Sequence, residues 1–336
     1  MATKRVLITG AAGFIGSHVL RYFASAQPDW EFVIVDRLNY ASALGRIADV
    51  VPGAQRTPRF KIVLHDLRAE ITDYVRESIG SIDIVMHLAA ETSVDKSAVD
   101  PRAFVESNVV ATFNLLEYCR LHQPRLDKFF LISTDEVYGA APVGVDHTEE
   151  FPHRPSNVYA ATKAAAEDLA FAYEHSMGVP VIITNTMNNI GPMQASEKYL
   201  PRVIRSLARG ELITVHGTPD NVGTRKYLHA RDHADAINFL LSHGKRGERY
   251  NVVGAEEVSN LDVVRRVEKT FRQLGHNVDA KIKFQDFHLG RPGHDRRYSL
   301  DGSKMAALGW VPSRSFDTVI HELVQWALVN KEWSGV

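Results

Sequence analysis

The stretch Ser133-Thr134-Asp135-Glu136-Val137-Tyr138-Gly139 puts hydroxyls and two carboxylates side by side, and Tyr159 and Lys163 follow a short way downstream. Tyr159 and Lys163 are four residues apart, so a helix places them on one face. An ammonium beside a phenol favours phenolate and lowers the tyrosine pKa, which makes a usable base. A carboxylic acid next to a carboxylate adds a second kind of proton transfer. Taken alone, each piece also fits a solvated strand-end loop and an ordinary amphipathic helix.

Those residues need elements to hold them. Phe129-Phe130-Leu131-Ile132 is a short apolar run of the kind that forms a buried parallel strand. The hydroxyl and carboxylates then sit where a strand runs out, at the end of a sheet where open α/β folds place ligands. Ser156 or Asn157 can cap the helix through Lys163. Upstream, Val6-Leu7-Ile8-Thr9 reads as a first strand, followed at once by glycines 10, 13 and 16 and a helix from Ser17. The glycine spacing is a G-x-x-G-x-x-G variant of the dinucleotide fingerprint, with the same physics: a tight turn, close approach of backbone to pyrophosphate, and a helix N-terminus facing phosphates. Phe32-Val33-Ile34-Val35 ends in Asp36, placed to accept hydrogen bonds from an adenosine ribose. Asp36 repels a 2′-phosphate and favours NAD, while neighbouring Arg37 leaves NADP open.

The alternation continues. Strands ending in His65-Asp66-Leu67 and in Leu88-Ala89-Ala90-Glu91 precede a long helix over 101–122, and Val179–Thr184 follows the tyrosine helix. Such alternation predicts a doubly wound parallel α/β sheet. Asp66 could reach an adenine edge, and the small Ala89-Ala90 pair lets backbone pass close to a cofactor. The helices at 101–122 and 157–177 carry enough apolar residues for a homodimer through them, or for extra core packing.

After about residue 185 the pattern fades into a polar loop and a helix from about Glu197 to Arg209. The expected division is a cofactor domain over 1–185, with a returning segment near 214–244, and a smaller C-terminal α/β substrate-binding domain over 186–336. Arg225 and the cations of Gly290-Arg291-Pro292-Gly293-His294-Asp295-Arg296-Arg297-Tyr298 suit a diphosphate.

Composition narrows the partners. Hydrophobic residues make up 45%, charged residues 24%, and the formal net charge is -1. No overall field recruits nucleic acid or an anionic membrane. The single cysteine, Cys119, excludes an internal disulfide and a multi-cysteine zinc site, and it falls in an apolar helical stretch that predicts a core position. No metal site is expected. Lys4-Arg5 precedes an apolar run that reaches Gly10 within five residues, too short for a signal peptide or a span, so a cytoplasmic protein is expected.

Together these motifs resemble the extended short-chain dehydrogenase/reductases, and within them the nucleotide-sugar 4,6-dehydratases. The likeness runs from Thr9–Gly16, through Leu88–Glu91 and the Tyr159/Lys163 pair, to Arg291–Tyr298. Thr134-Asp135-Glu136-Val137-Tyr138-Gly139 is its most selective part, because epimerases of the wider family usually lack the Asp-Glu pair. The resemblance implies a Rossmann-type fold and an NAD-dependent lyase making a 4-keto-6-deoxy sugar. In it, Tyr159 takes the 4-hydroxyl proton, Lys163 holds the ribose, Thr134 bonds the reacting oxygen, Glu136 removes the C5 proton and Asp135 protonates the leaving 6-hydroxyl. It further implies cofactor contacts at Gly10, Gly13, Phe14, Ile15, Gly16, Asp36, Asp66, Leu67 and Ala89, as well as Tyr159 and Lys163. Substrate contacts would come from Asn189, Glu197, Lys198, His216, Arg225, Arg291 and His294. The substrate is expected to be a nucleotide-linked glucose, dTDP-glucose ahead of UDP-glucose, with a nucleotide-sugar 4-epimerase as the rival enzyme and an NAD-binding protein without turnover as the rival outside enzymes.

This chain departs from the family pattern at Ser93, where a histidine is usual. It departs also at Thr214-Val215-His216, where Pro-Ile-Tyr is usual, and at Lys226-Tyr227, where Asp-Trp is usual. All three bear on substrate recognition and none on the proton- and hydride-transfer set.

Overall fold

Alternate residues of the first strand, β1 (Arg5–Thr9), bury on opposite faces of a sheet. Val6 and Ile8 join a core with Val19, Leu20 and Phe23 of the helix Phe14–Ala26, while Leu7 joins another with Leu115, Leu116 and Cys119. A strand covered on both faces is therefore apolar throughout rather than alternating. The computed structural model describes residues 3–51, 58–286 and 295–336.

Five more strands follow: β2 (Glu31–Asp36), β3 (Phe60–Leu64), β4 (Ile84–His87), β5 (Lys128–Thr134) and β6 (Val181–Thr186). Beyond them come β7 (Asn188–Ile190), β8 (Ile213–Thr218), β9 (Asn221–Val222), β10 (Thr224–His229), β11 (Glu248–Val252), β12 (Glu257–Ser259) and β13 (Ile282–Gln285). The large sheet runs β3-β2-β1-β4-β5-β6-β11, and every neighbouring pair is parallel. This is the doubly wound, Rossmann-like order, with its topological switch between β1 and β4. Two three-stranded sheets, β12-β10-β7 and β13-β8-β9, lie outside it. Their core joins Val203, Leu207, Ile213, Val215, Val264 and Val267.

Three boundaries differ from the sequence reading. First, β8, at the start of the expected return near 214–244, pairs with β13 and β9 instead of the large sheet, because Ile213 and Val215 bury against the outer core. The return is made by the helix Ala230–His243, which shares a core with the helix Phe14–Ala26, and by β11 beyond it. Second, the helix over 101–122 is not uniform. Val105–Val110 widens into a π turn between Pro101–Phe104 and Ala111–His122. Such turns re-aim a side chain. Here Asn108 is turned inward, where it accepts from Glu91 N–H (2.8 Å) and donates to Glu91 O (3.0 Å) and Thr162 Oγ1 (2.9 Å). Third, the helix expected from Glu197 begins at Tyr199, with Lys198 at its N-cap.

The glycine turn depends on contact too close for a side chain. A Cβ on Gly16 would lie 2.2 Å from Gly10 O and 2.8 Å from Ala11 Cα, all backbone. Forcing such an overlap costs about 1–3 kcal/mol. Gly16→Ala should lower the urea midpoint of unfolding accordingly. An unchanged midpoint would show that helix and strand can part freely here.

Candidate active site

β5 delivers Thr134 to the sheet's C-terminal edge, and the chain tightens at once into a single turn, Asp135–Tyr138. Thr134 caps that turn: its hydroxyl accepts from Glu136 N–H (3.3 Å) and donates to Asp135 Oδ1 (3.0 Å). Gly139 ends it at φ +76, packed so closely on Arg154 O that a Cβ would lie 2.2 Å away. Asp135 is buried, and its Oδ2 has no partner. Burial first, and the Glu136 charge second, push its carboxyl well above the usual range, to about 7. Glu136 is also raised by burial, but the Asn157 amide, Arg225, Lys198 and the Tyr298 hydroxyl all oppose this. Two adjacent carboxyls in unequal surroundings form a pair with one proton to place.

Of the two candidate caps, Asn157 starts the helix Val158–Met177 by accepting from Ala160 N–H at 2.8 Å. The helix brings Tyr159 beside Thr134, with the edge of Phe104 against its ring. Lys163 lies one turn further on, buried, its Nζ donating to Ile132 O at 2.7 Å. Burial, then the charge of Glu136, raises Tyr159, while burial pulls Lys163 down to about 8.

The cofactor candidates gather where β1, β2, β3 and β4 end. Gly10 adopts φ +70 and lies so close to Ala89 that a Cβ would approach its backbone to 2.8 Å. Gly13 begins the helix Phe14–Ala26 without a side-chain cap and with no acidic residue in the first turn, so the helix presents open N–H groups and positive potential. Phe14 and Ile15 are half-buried in that turn. Asp36 is fixed by accepting from Ala12 N–H (3.0 Å) and Leu38 N–H (2.9 Å). These residues fit a dinucleotide. Asp66 is gripped by Arg68 and also faces Arg37 at 3.4 Å, whereas Leu67 turns its side chain into the core. Arg37 donates to Glu91 at 2.6 Å, and Glu91 also accepts from Asn39 and Tyr40. A cavity of about 600 Å³ opens among Arg37, Tyr40, His65, Asp66, Arg68 and Glu91.

The substrate candidates lie on the outer elements. Asn189, on β7, donates to Thr186 and Met187, and its Oδ1 is buried without a partner. Glu197 is exposed beside Lys198, whose charge acts on Glu136. His216 sits half-buried on β8 opposite Gln285. Arg225, on β10, donates to the carbonyls of Thr224, Asp295 and Arg296, and its guanidinium lies 4.6 Å from the centre of the Tyr298 ring. Arg291 and His294 fall outside the described residues. Among the described residues, no cluster of three or more His, Cys, Asp or Glu could hold a metal ion.

Sequence reasoning passed over several polar residues that the fold brings here. Glu167 is wholly buried and accepts from Ser133, Asn185 (2.7 Å) and Arg249 (2.9 Å), with His153 at 3.2 Å. Its spacing of four from Lys163 was a signal. Glu91 and Tyr298 stand in motifs that carry the family resemblance but were given no role of their own, and Asn108 gave no signal, since their partners are distant in sequence.

The family model described as GDP-mannose 4,6 dehydratase matches residues 7–323. dTDP-glucose 4,6-dehydratase 1 of Escherichia coli (strain K12) is 37% identical over 346 residues, covering 98% of this chain and 94% of the relative. The crystal structure of DesIV, a dTDP-glucose 4,6-dehydratase from Streptomyces venezuelae with NAD and TYD bound, is 34% identical with a TM-score of 0.85, covering 98% of each chain. The UDP-glucose 4-epimerase of Thermus thermophilus in complex with NAD shares the fold at 28% identity and a TM-score of 0.82, covering 96% of this chain and 98% of its own. The chain therefore belongs to the GDP-mannose 4,6 dehydratase family of extended short-chain dehydrogenase/reductases.

Proposed function

We propose that this protein is an NAD-dependent hydro-lyase that converts dTDP-glucose to its 4-keto-6-deoxy sugar. The observation that carries this reading is the adjacent Asp135-Glu136 pair, Asp135 buried and Glu136 half-buried, beside Thr134 and Tyr159 and within the field of the cations Lys198 and Arg225. NAD, when bound at the glycine turn by Gly10, Gly13, Gly16 and Asp36, accepts a hydride from sugar C4 and returns it to C6. In its ionised form, which burial disfavours (a cost that must be offset in the loaded site), Tyr159 takes the 4-hydroxyl proton, helped by the Thr134 hydroxyl, and Lys163 holds the cofactor ribose. Glu136 removes the C5 proton made acidic by the new ketone, and Asp135 protonates the 6-hydroxyl, which leaves as water. The proton on Glu136 returns to C5 as C6 is reduced. The proton gained by Tyr159 equals in number the one lost by Asp135, so release of one proton to solvent by Tyr159 and uptake of one by Asp135 restore the set, with net loss of one water. Asn189, Glu197, Lys198, His216, Arg225, Arg291 and His294 are the proposed substrate contacts.

Residues 1–185 form the proposed cofactor domain and 186–336 mainly the substrate domain. A homodimer through 101–122 and 157–177 is supported by Val105, Val110, Phe113 and Leu121, which stand exposed on the first of these helices. A cytoplasmic location accords with the finding that no described helix is long and apolar enough to cross a membrane. The rival reading, a 4-epimerase, draws on the fold shared with UDP-glucose 4-epimerase, but it leaves the Asp135-Glu136 pair without a task.

Three measurements test these roles. Deuterium at C4 of the substrate should reappear at C6 of the product, and heavy water should label C5. NADH accumulating in step with product would indicate a simple dehydrogenase instead. On pH, Asp135 must be protonated and Glu136 ionised, so kcat should fall as pH rises through about 7 and fall again as acid protonates Glu136. A profile still rising past pH 8 would exclude Asp135 as the acid. For the base, an imidazole at His216 covers less of a thymine methyl than a phenol, a difference worth at most roughly 1–3 kcal/mol, or about 10–200-fold. His216→Tyr should therefore raise the kcat/KM preference for dTDP-glucose over UDP-glucose. An unchanged ratio would remove position 216 from base selection.

A further inference from the structure

The two carboxyls of the pair are held unequally. Glu136 Oε2 receives the Asn157 amide at 3.1 Å and the Tyr298 hydroxyl at 3.4 Å. Asp135 receives the Thr134 hydroxyl on Oδ1, while its Oδ2 lies buried with no partner.

Both donors to Glu136 have their direction fixed by other contacts. Asn157 must turn its oxygen to Ala160 N–H at 2.8 Å to cap the tyrosine helix, so its NH2 is the end that faces and donates to Glu136. The Tyr298 hydroxyl accepts from Asp295 N–H at 3.2 Å, so its own proton points at the carboxylate. Tyr298 is only 3% exposed, and burial together with the Glu136 charge keeps its phenol protonated. Donors aimed at a carboxylate favour its ionised form, whereas a buried oxygen with no donor favours carrying a proton.

We propose that Asn157 and Tyr298 are positioning residues that keep Glu136 ionised as the base and so leave the shared proton on Asp135, the acid. The inference rests on the dehydratase reading for its chemistry, but the placement of the proton is a property of the protein alone. Without the donors, the proton would pass between the two carboxyls, and C5 deprotonation and water loss would falter together. Removal of the 4-hydroxyl proton by Tyr159 would be untouched. Asn157 thus joins two tasks in one side chain, starting the helix that carries Tyr159 and orienting the base of the later step. Tyr298 brings the second donor from a segment that Arg225 ties to β10.

The test uses the cofactor-loaded protein and the variants Tyr298→Phe and Asn157→Ser. Serine remains a good helix cap but has no amide to offer Glu136. Infrared spectra at pH 6, compared with Asp135→Asn and Glu136→Gln, locate the protonated carboxyl without substrate. It should belong to Asp135 in the unmodified protein and be shared with Glu136 in the two variants. In single turnovers with dTDP-glucose, the rise of NADH absorbance should stay within about twofold of the unmodified protein, while its decay slows by about tenfold or more, within the range of lost acid-base assistance. The acid limb of the pH profile should move up. A proton that stays on Asp135 in both variants, or a rise and decay slowed equally with the acid limb in place, would overturn the proposal. If the infrared result holds and no NADH forms with any nucleotide-glucose, the positioning role stands and the dehydratase reading falls.

Discussion

Two carboxyl groups on adjacent residues, Asp135 buried and Glu136 half-buried, are held together where β5 ends, and much of the surrounding structure answers to that constraint. Like charges in a site of low dielectric resist joint ionisation. The fold meets the strain by crowding donors and cations around one member: Asn157 from a helix cap, Tyr298 from the C-terminal segment, and Lys198 and Arg225 from the outer elements. These come from four separate stretches of chain. The pair therefore exists in its working state only when the sheet, the tyrosine helix and the outer lobe have all assembled.

What could be read from the sequence was whatever local pattern determines. The parallel strands follow from continuous apolar runs, and the helix over Val158–Met177 from a capping residue and a good helix-forming stretch. The glycine turn follows from spacing between a strand and a helix. The site residues Thr134, Asp135, Glu136, Tyr159 and Lys163 were visible because β5 and one helix deliver all five. What stayed hidden depends on distant partners. The π turn at Val105–Val110 accompanies Asn108 reaching Glu91 and Thr162, a contact that no window of residues contains. Helical spacing puts Tyr159 and Lys163 on one face but says nothing about burial, which raises the phenol.

The cofactor side shows the same division. Asp36 at the end of β2 is a local signal, and Arg37 beside it left the 2′-phosphate question open. In the fold, Arg37 is taken up by Glu91 at 2.6 Å and Asp66 at 3.4 Å. Two carboxylates, Asp66 and Glu91, thus hold a guanidinium that the sequence alone presents as available, which together with Asp36 favours NAD.

The place of β11 has a consequence for how the chain is made. Its partner β6 ends at Thr186, yet β11 begins only at Glu248, after β7 to β10 have been threaded through the outer lobe. As the polypeptide emerges from the ribosome, β1 to β6 are available to pair early, and the far side of β6 remains a bare hydrogen-bonding edge throughout that excursion. Open edges recruit other strands, and long-range parallel pairing forms slowly. The nascent six-stranded sheet thus carries one edge that its own chain covers last, and closing it with β11 is the late step that removes an opening for wrong pairing.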